Sequence, residues 1–229
     1  MDDPASETPE AAAKSLSAAA RRVLAVLVEK AKTTPNGYPL TVAAVVTGSN
    51  QKSARNPVMS LTEGDALVAL DELRAVGAAT EIQGSGRTSK YRHNFYDWLD
   101  VDGPRSAVLT ELLLRGPQTA GELRSRAGRM HTFESLEDLS ATLRRLVDQG
   151  WVREMTPAGR GQLFAHTLYT PAEVPHVNAR VEKQPIDAPE HPPAATEPPL
   201  AQVDALLARL ETVNARIDAL ESRVKALEE

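Results

Sequence analysis

Polar and basic side chains that could contact DNA are concentrated in one short segment of the chain. The segment NQKSARNP spans residues 50–57. Asn and Gln amides can read adenine edges, and Lys and Arg side chains can read guanine or bind phosphate. We therefore predict base contacts for Asn50 and Gln51 and phosphate contacts for Lys52 and Arg55. The alternative is a polar loop whose amides cap helices and hold a turn.

Further cations lie in or beside two predicted hairpins. Arg87, Lys90 and Arg92 belong to the first hairpin and Arg160 to the second. Cationic hairpins suit phosphate contact, although a solvated charged hairpin has the same composition. A third group could form a basic stripe or merely a solvated helix face with partners such as Glu122; it comprises Arg105, Arg115, Arg124, Arg126 and Arg129.

Residues with catalytic potential are sparse. The chain has no cysteine, which excludes disulfides, thiolate metal sites and cysteine nucleophiles, and it contains no HExxH, P-loop or GxSxG motif. His93 and His166 occupy equivalent places in an internal repeat, so we interpret both as structural. We expect no catalytic residue, no metal and no cofactor, and hence a protein that is not an enzyme.

The elements that position these residues follow from that repeat. A shift of 73 residues superimposes 70–96 on 143–169, with Leu70, Gly77 and Tyr91 matching Leu143, Gly150 and Phe164. Each copy predicts three helices and a hairpin. Helices are expected at 16–32, 41–47, 62–76, 105–114, 119–127 and 136–149, and strands at 79–83, 89–95, 151–155 and 162–169.

The predicted core faces are apolar at helical spacing. Leu24, Leu27 and Val28 mark the first helix, and Leu67, Leu70 and Leu73 mark the third. Three helices followed by a hairpin predict a winged helix-turn-helix. The predicted fold class is therefore mainly α with small β-hairpins (α+β), in two tandem winged-helix domains at 16–100 and 101–170.

Charge and proline content divide the rest of the chain. The formal net charge is −5, yet residues 16–169 hold 19 basic and 16 acidic side chains, net +3. Residues 1–15 are interpreted as a disordered acidic tail without a signal peptide. Residues 171–199 hold half of the 16 prolines. We predict an extended linker there, because proline lacks a backbone donor and opposes helix.

The last segment, 200–229, has a regular heptad pattern that predicts a C-terminal coiled-coil helix. Apolar residues recur at spacings of three and four, with arginine and glutamate at flanking positions, as in a parallel homodimer. The alternative is an amphipathic helix that docks on its own globular part. The predicted dimerisation residues are Val203, Leu206, Leu210, Val213, Ile217, Leu220, Val224 and Leu227.

Four distinctive strings carry a resemblance to a known family. They are EKAKTTPNGYPLT (29–41), SNQKSARNPVMSLTE (49–63), GRTSKY (86–91) and LLLRGPQTAGELRSRAGRMHTF (112–133). In this order they resemble the YceH-like family of bacterial proteins of uncharacterised function. The resemblance implies a tandem winged-helix fold and implies no activity.

Two functions from different classes are compatible with these observations. The first is a cytoplasmic, DNA-associated homodimer, such as a transcriptional regulator, binding double-stranded DNA through loops and wings. The second is a scaffold that docks a protein partner. Acidic residues at the start of the third helices, such as Glu63 and Asp65, favour the second because they repel phosphate. No apolar run is long enough to span a membrane, so no membrane contact is expected.

Overall fold

The first half of the chain folds in the order helix, strand, helix, helix, strand, strand. The computed structural model describes residues 14–83, 88–159 and 161–183. The first unit consists of α1 (Ala18–Thr33), β1 (Leu40–Thr41), α2 (Val42–Ser49), α3 (Glu63–Ala75), β2 (Ala79–Gln83) and β3 (Ser89–His93). A 3-10 turn, Pro35–Gly37, precedes β1, and the short helix α4 (Phe95–Leu99) follows β3.

The second half repeats this order, as the internal repeat predicts. Its elements are α5 (Gly103–Arg115), β4 (Gln118–Thr119), α6 (Ala120–Ala127), α7 (Leu136–Asp148), β5 (Val152–Glu154) and β6 (Leu163–His166). A further helix, α8 (Val174–Glu182), follows. The six predicted helices are confirmed to within two residues at each end.

Local side-chain chemistry fixes where the helices begin and end. Six helices start after a residue whose side chain accepts a hydrogen bond from the backbone N–H three residues later, which satisfies a donor that the helix leaves free. These caps are Ser17, Thr41, Thr62, Asp102, Thr119 and Ser135. Glycines with positive φ follow α3 and α7, at Gly77 and Gly150, as predicted for Gly77.

Each unit contains a three-stranded antiparallel sheet. The strand orders are β1-β3-β2 and β4-β6-β5, so the last strand of each unit is central. Tyr91 pairs with Leu40 and Glu81, and the matched Phe164 pairs with Gln118 and Glu154. The predicted mixture of helices and small antiparallel sheets is confirmed. The two-residue strands β1 and β4 were not predicted, because two residues carry no periodicity.

The first helices of the two units pack against each other and share one core. All residues from Ala20 to Glu29 are buried in α1, and all from Ser106 to Leu114 are buried in α5. A helix buried on all sides must be covered by more than its own unit. A hydrogen bond also links the two units elsewhere: the indole N–H of Trp151 donates to the Leu99 carbonyl at 2.9 Å. The two units therefore form one compact body within the described part of Met1–Ile186.

Two predictions about individual segments are wrong. The proline content of 171–199 predicts that the segment is not helical, yet Val174–Glu182 forms a helix. Pro175 sits in the first turn, where its missing N–H costs nothing, and no proline follows before residue 185. Leu67 was assigned to the core, yet its side chain is 42% exposed, whereas Leu70 and Leu73 are fully buried.

Several predicted features lie outside the described residues. These are most of the acidic tail, Arg87, Arg160, the linker beyond residue 183 and the whole coiled-coil segment. Among the helices that the structure describes, none combines the length and the apolar character needed to cross a membrane.

Candidate nucleic-acid interface

The segment 50–62 connects α2 to α3, and the side-chain amide of Asn50 ties its two ends together. Asn50 Nδ2 donates to the Leu61 carbonyl at 2.8 Å, and the Leu61 N–H donates to Asn50 Oδ1 at 2.8 Å. Both polar atoms of this predicted base reader therefore close the connection. Gln51 is half-buried and Lys52 is exposed. Of these three residues, Lys52 is the one whose charge faces solvent.

Arg55, a predicted phosphate contact, is directed into the protein instead. Its side chain is fully buried and forms two hydrogen bonds with Glu29, at 3.1 Å (Nη1–Oε1) and 2.5 Å (Nη2–Oε2). Its Nε donates to the Gly48 carbonyl at 3.0 Å. The physical reason is charge pairing: Glu29 is buried in α1 and needs a cation. Arg55 thus has no free donor face for DNA.

The Glu29 carboxylate belongs to a larger buried charge cluster that joins the two units. Arg129, which follows α6, contacts Glu29 and also donates to Glu111 Oε2 at 2.9 Å. Arg115 pairs with Glu111 Oε1 at 2.8 Å. We call Glu29, Arg55, Glu111, Arg115 and Arg129 the buried charge cluster, because both carboxylates and Arg55 are buried; Arg115 and Arg129 are partly exposed. Two carboxylates and three guanidinium groups there bind one another.

The other members of the predicted basic stripe are also engaged within the chain. Arg105 pairs with Asp102 at 3.0 Å and donates to Gln149 at 2.7 Å. Arg126 pairs with Glu122 at 3.0 Å, which is the partner expected in the alternative interpretation. Arg124 donates to the Glu134 carbonyl at 2.9 Å. These side chains do not form an open basic stripe.

The central strand of the first sheet does present two free cations. Lys90 and Arg92 are exposed and flank Tyr91, which is buried at 4% exposure. Lys90 lies opposite Thr41 and Ile82, and Arg92 lies opposite Thr80. Neither cation has a hydrogen-bond or ion-pair partner among the described residues. Alternation along β3 thus directs both charges to solvent.

The outer faces of the third helices carry acidic and apolar groups. Glu63, Asp65 and Asp71 are exposed on α3, together with Leu67 and the 70%-exposed Val68. The Thr62 backbone N–H and hydroxyl, which hydrogen-bond the Asp65 carboxylate, lower the pKa of that carboxyl. On α7, the first turn contains Glu137 and Asp138. These helices therefore offer negative charge where a recognition helix would meet DNA.

The two matched histidines are both held by contacts within the fold. His93 Nδ1 accepts the Phe95 N–H at 3.2 Å, and burial with nearby Lys32 and Arg92 lowers its pKa to about 4. His166 is buried and stacks on Tyr169 with ring centroids 3.9 Å apart; burial lowers its pKa well below the ordinary value. In the described residues, no group of three or more His, Asp and Glu side chains could hold a metal ion.

One concentration of charge escaped the sequence analysis. Arg21, Arg22 and Arg180 line a cleft whose walls come from α1, α5, β6 and α8. Their sequence separation of about 160 residues hides the association, and α8 was not predicted at all. The only available signal was the pair of adjacent arginines within the apolar first helix.

Comparisons with known proteins connect this architecture to a family. Residues 16–160 match the family described as "Protein of unknown function, DUF480". A UPF0502 protein of Rhodopirellula baltica is 59% identical over 183 residues, which cover 80% of this chain and 77% of that protein. A UPF0502 protein of Delftia acidovorans is 42% identical over 167 residues, covering 69% and 74% of the two chains. The chain therefore belongs to the DUF480 (UPF0502) family, consistent with its resemblance to YceH-like proteins.

Proposed function

We propose that this protein is a cytoplasmic, non-enzymatic DNA-associated protein, serving as a transcriptional regulator. In this proposal each unit is a winged helix-turn-helix, with α2 and α3 as the helix pair and the β2–β3 connection as the wing. The order of elements and the three-stranded sheets support this assignment. The fold alone is compatible with other functions, so the surface must carry the argument.

One observation carries the DNA proposal. Lys52, Lys90 and Arg92 are exposed and without partners among the described residues, on the α2–α3 connection and on the strand of the wing. Most arginines elsewhere are bound to carboxylates or carbonyls. Free cations on a loop and a wing suit phosphate contacts, which give affinity without sequence information. DNA would then meet the loop and wing of the first unit and avoid the acidic outer face of α3.

Dimerisation strengthens this arrangement. We propose that the segment 200–229 forms a parallel coiled coil between two copies of the chain. Linking two sets of phosphate contacts raises the effective concentration of the second set once the first is bound. A weakly basic unit can thereby hold a polyanion that one copy alone would release.

The experiment is a salt titration of DNA binding by the full-length protein. Fluorescence anisotropy with a random duplex should show affinity that falls linearly in log–log form as salt rises. The double variant Lys52→Gln/Lys90→Gln should lower the slope by about 2, one per lost phosphate contact. Lys183→Gln, an exposed lysine at the end of α8, is the control and should leave the slope unchanged. Absence of binding at low salt, or an unchanged slope in the double variant, contradicts the proposal.

A second candidate, docking of a protein partner, rests on α3. Leu67 and Val68 are exposed side by side among acidic groups, and such a face suits a partner with apolar and basic side chains. The variant Leu67→Ser/Val68→Ser separates the two candidates. It should leave DNA affinity intact if loop and wing bind DNA, and it should abolish retention of a partner protein if α3 is the docking face.

A further inference from the structure

A cleft of about 280 Å³ lies where α1, the α2–α3 connection, the end of α5, β6 and α8 meet. Its volume is close to the lower end of the range for small-molecule sites. Part of the wall is apolar and is formed by Ala18, Pro57, Met59, Leu113 and Val177. Among the other lining residues, three are arginines and one is a glutamate.

The charges of the cleft do not cancel. Three guanidinium groups line it, on Arg21, Arg22 and Arg180, against one carboxylate, on Glu173. Glu173 is already bound by Arg21, at 2.8 Å and 2.5 Å, and by the hydroxyl of Thr170 at 2.7 Å. The other two guanidinium groups, on Arg22 and Arg180, form no direct ion pair with a carboxylate among the described residues.

Arg22 is the more deeply buried of these two cations. It is 2% exposed and donates to three carbonyl oxygens, those of Ser49 at 3.1 Å, Pro57 at 2.7 Å and Leu114 at 3.3 Å. Its Nε has no hydrogen-bond partner in the described structure. Burial and the nearby Arg55 charge lower the pKa of Arg22 to about 10. An anion in the cleft would compensate this charge.

Arg180 and Tyr169 lie side by side against Gly116, whose missing side chain leaves room for the Arg180 guanidinium. A Cβ on Gly116 would lie 3.0 Å from Arg180 Nη2 and 3.9 Å from Tyr169 Oη. The Tyr169 ring is fixed by His166 on one side and by the Arg21 guanidinium, whose Cζ is 4.8 Å from the ring centroid. A guanidinium and a hydroxyl donor that lie together in the wall of one cleft are suited to an oxyanion.

We infer that this cleft binds a small organic anion with an apolar body and one carboxylate or phosphate group. Arg180 and Tyr169 donate to the oxyanion, Arg22 supplies the buried positive charge, and the aliphatic wall covers the apolar body. This site is independent of the proposed DNA contacts, since it shares no residue with Lys52, Lys90 or Arg92. It gives the protein a place for a ligand beneath the connection that carries Lys52.

The test is isothermal titration calorimetry of the full-length protein at fixed ionic strength. Three probes share one apolar ring and differ in their head group: benzoate, phenyl phosphate and the neutral benzamide. We expect saturable binding of at least one anion and none of benzamide. The tighter of the two anions identifies the head group. Equal binding of benzamide, or no binding of either anion, overturns the inference.

Variants locate the binding. Arg180→Gln should lower the affinity for the anion about tenfold, as expected for the loss of one charge-assisted hydrogen bond. The control Arg144→Gln removes an exposed arginine from α7, outside the cleft, and should bind as the unchanged protein does. Because Arg180 is exposed, its variant should keep the same unfolding temperature. Equal loss in both variants would place the binding elsewhere and overturn the site.

Discussion

The two units differ most in the connection between their second and third helices, yet both connections do the same thing. The first unit uses residues 50–62 and the second uses residues 128–135. Each directs one arginine inward, Arg55 from the first and Arg129 from the second, and both contact Glu29. The comparison teaches that the turn of each helix pair serves the junction between units. The sequence predicts a phosphate contact for Arg55, but its side chain points into the protein and cannot reach DNA.

The two arginines differ in burial, and this predicts the largest effect. Arg55 is fully buried, whereas the Arg129 side chain is 33% exposed. Arg55→Ala should lower the free energy of unfolding by about 3–5 kcal/mol, because it breaks a buried ion pair. Arg129→Ala should cost less, because Arg129 itself is partly exposed and the two carboxylates keep Arg55 and Arg115 as partners. Urea unfolding measures both values.

Lys52→Ala is the control for this pair, since it truncates an exposed cation on the same connection. It should change stability by less than about 0.5 kcal/mol. If Arg129→Ala proved more costly than Arg55→Ala, the cluster would depend on its bridging arginine rather than on its buried one. That result would reverse the comparison.

The matched histidines predict the next largest effect, on the pH dependence of stability. The folded pKa of His93 is about 4, below its ordinary 6.5, so between these values the unfolded chain binds more protons. Stability should therefore fall as pH falls from 6.5 towards 4. At pH 5 the protonation of His93 in the unfolded chain lowers the free energy of unfolding by about 2 kcal/mol, and this loss levels off below pH 4.

His93→Gln tests this contribution. Urea unfolding at pH 7 and pH 5 should show a smaller drop for the variant than for the unchanged protein. His176→Gln, at an exposed position on α8, should show the full drop. His166, whose pKa is lowered in the same direction, keeps part of the dependence in both variants. An identical drop in His93→Gln would assign the whole effect to other groups.

Asn50 predicts the smallest of the three effects. Asn50→Ala removes both hydrogen bonds to Leu61, at 2.8 Å each, and leaves half-buried backbone groups without partners. Stability should fall by about 1–2 kcal/mol. Gln51→Ala, at the next position, should be neutral within about 0.5 kcal/mol. If Asn50→Ala left stability unchanged, the connection would not need this amide, and the predicted base contact of Asn50 would gain support.

Element order and helix bounds were predictable because caps, glycines and periodicity agree at each boundary. The Thr62 cap and Gly77 bracket α3 in sequence as they do in space. The buried charge cluster was not predictable, because a buried arginine and a phosphate-binding arginine look alike in a sequence. Glu29, Arg55, Arg115 and Arg129 do lie within the distinctive strings that carry the family resemblance. Those strings are thus explained in part by packing between the units.

The burial of α1 from Ala20 to Glu29 has a consequence for the independence of the two units. A unit that folded alone would keep a water-facing flank on its first helix. Here α1 and α5 cover that flank on each other, so Val23 and Val108 are both inaccessible to solvent. The copies have become mutually dependent, like the two subunits of an obligate heterodimer fused into one polypeptide. Neither half is expected to fold alone, because separating the chain near residue 100 would expose the apolar faces of α1 and α5 to water.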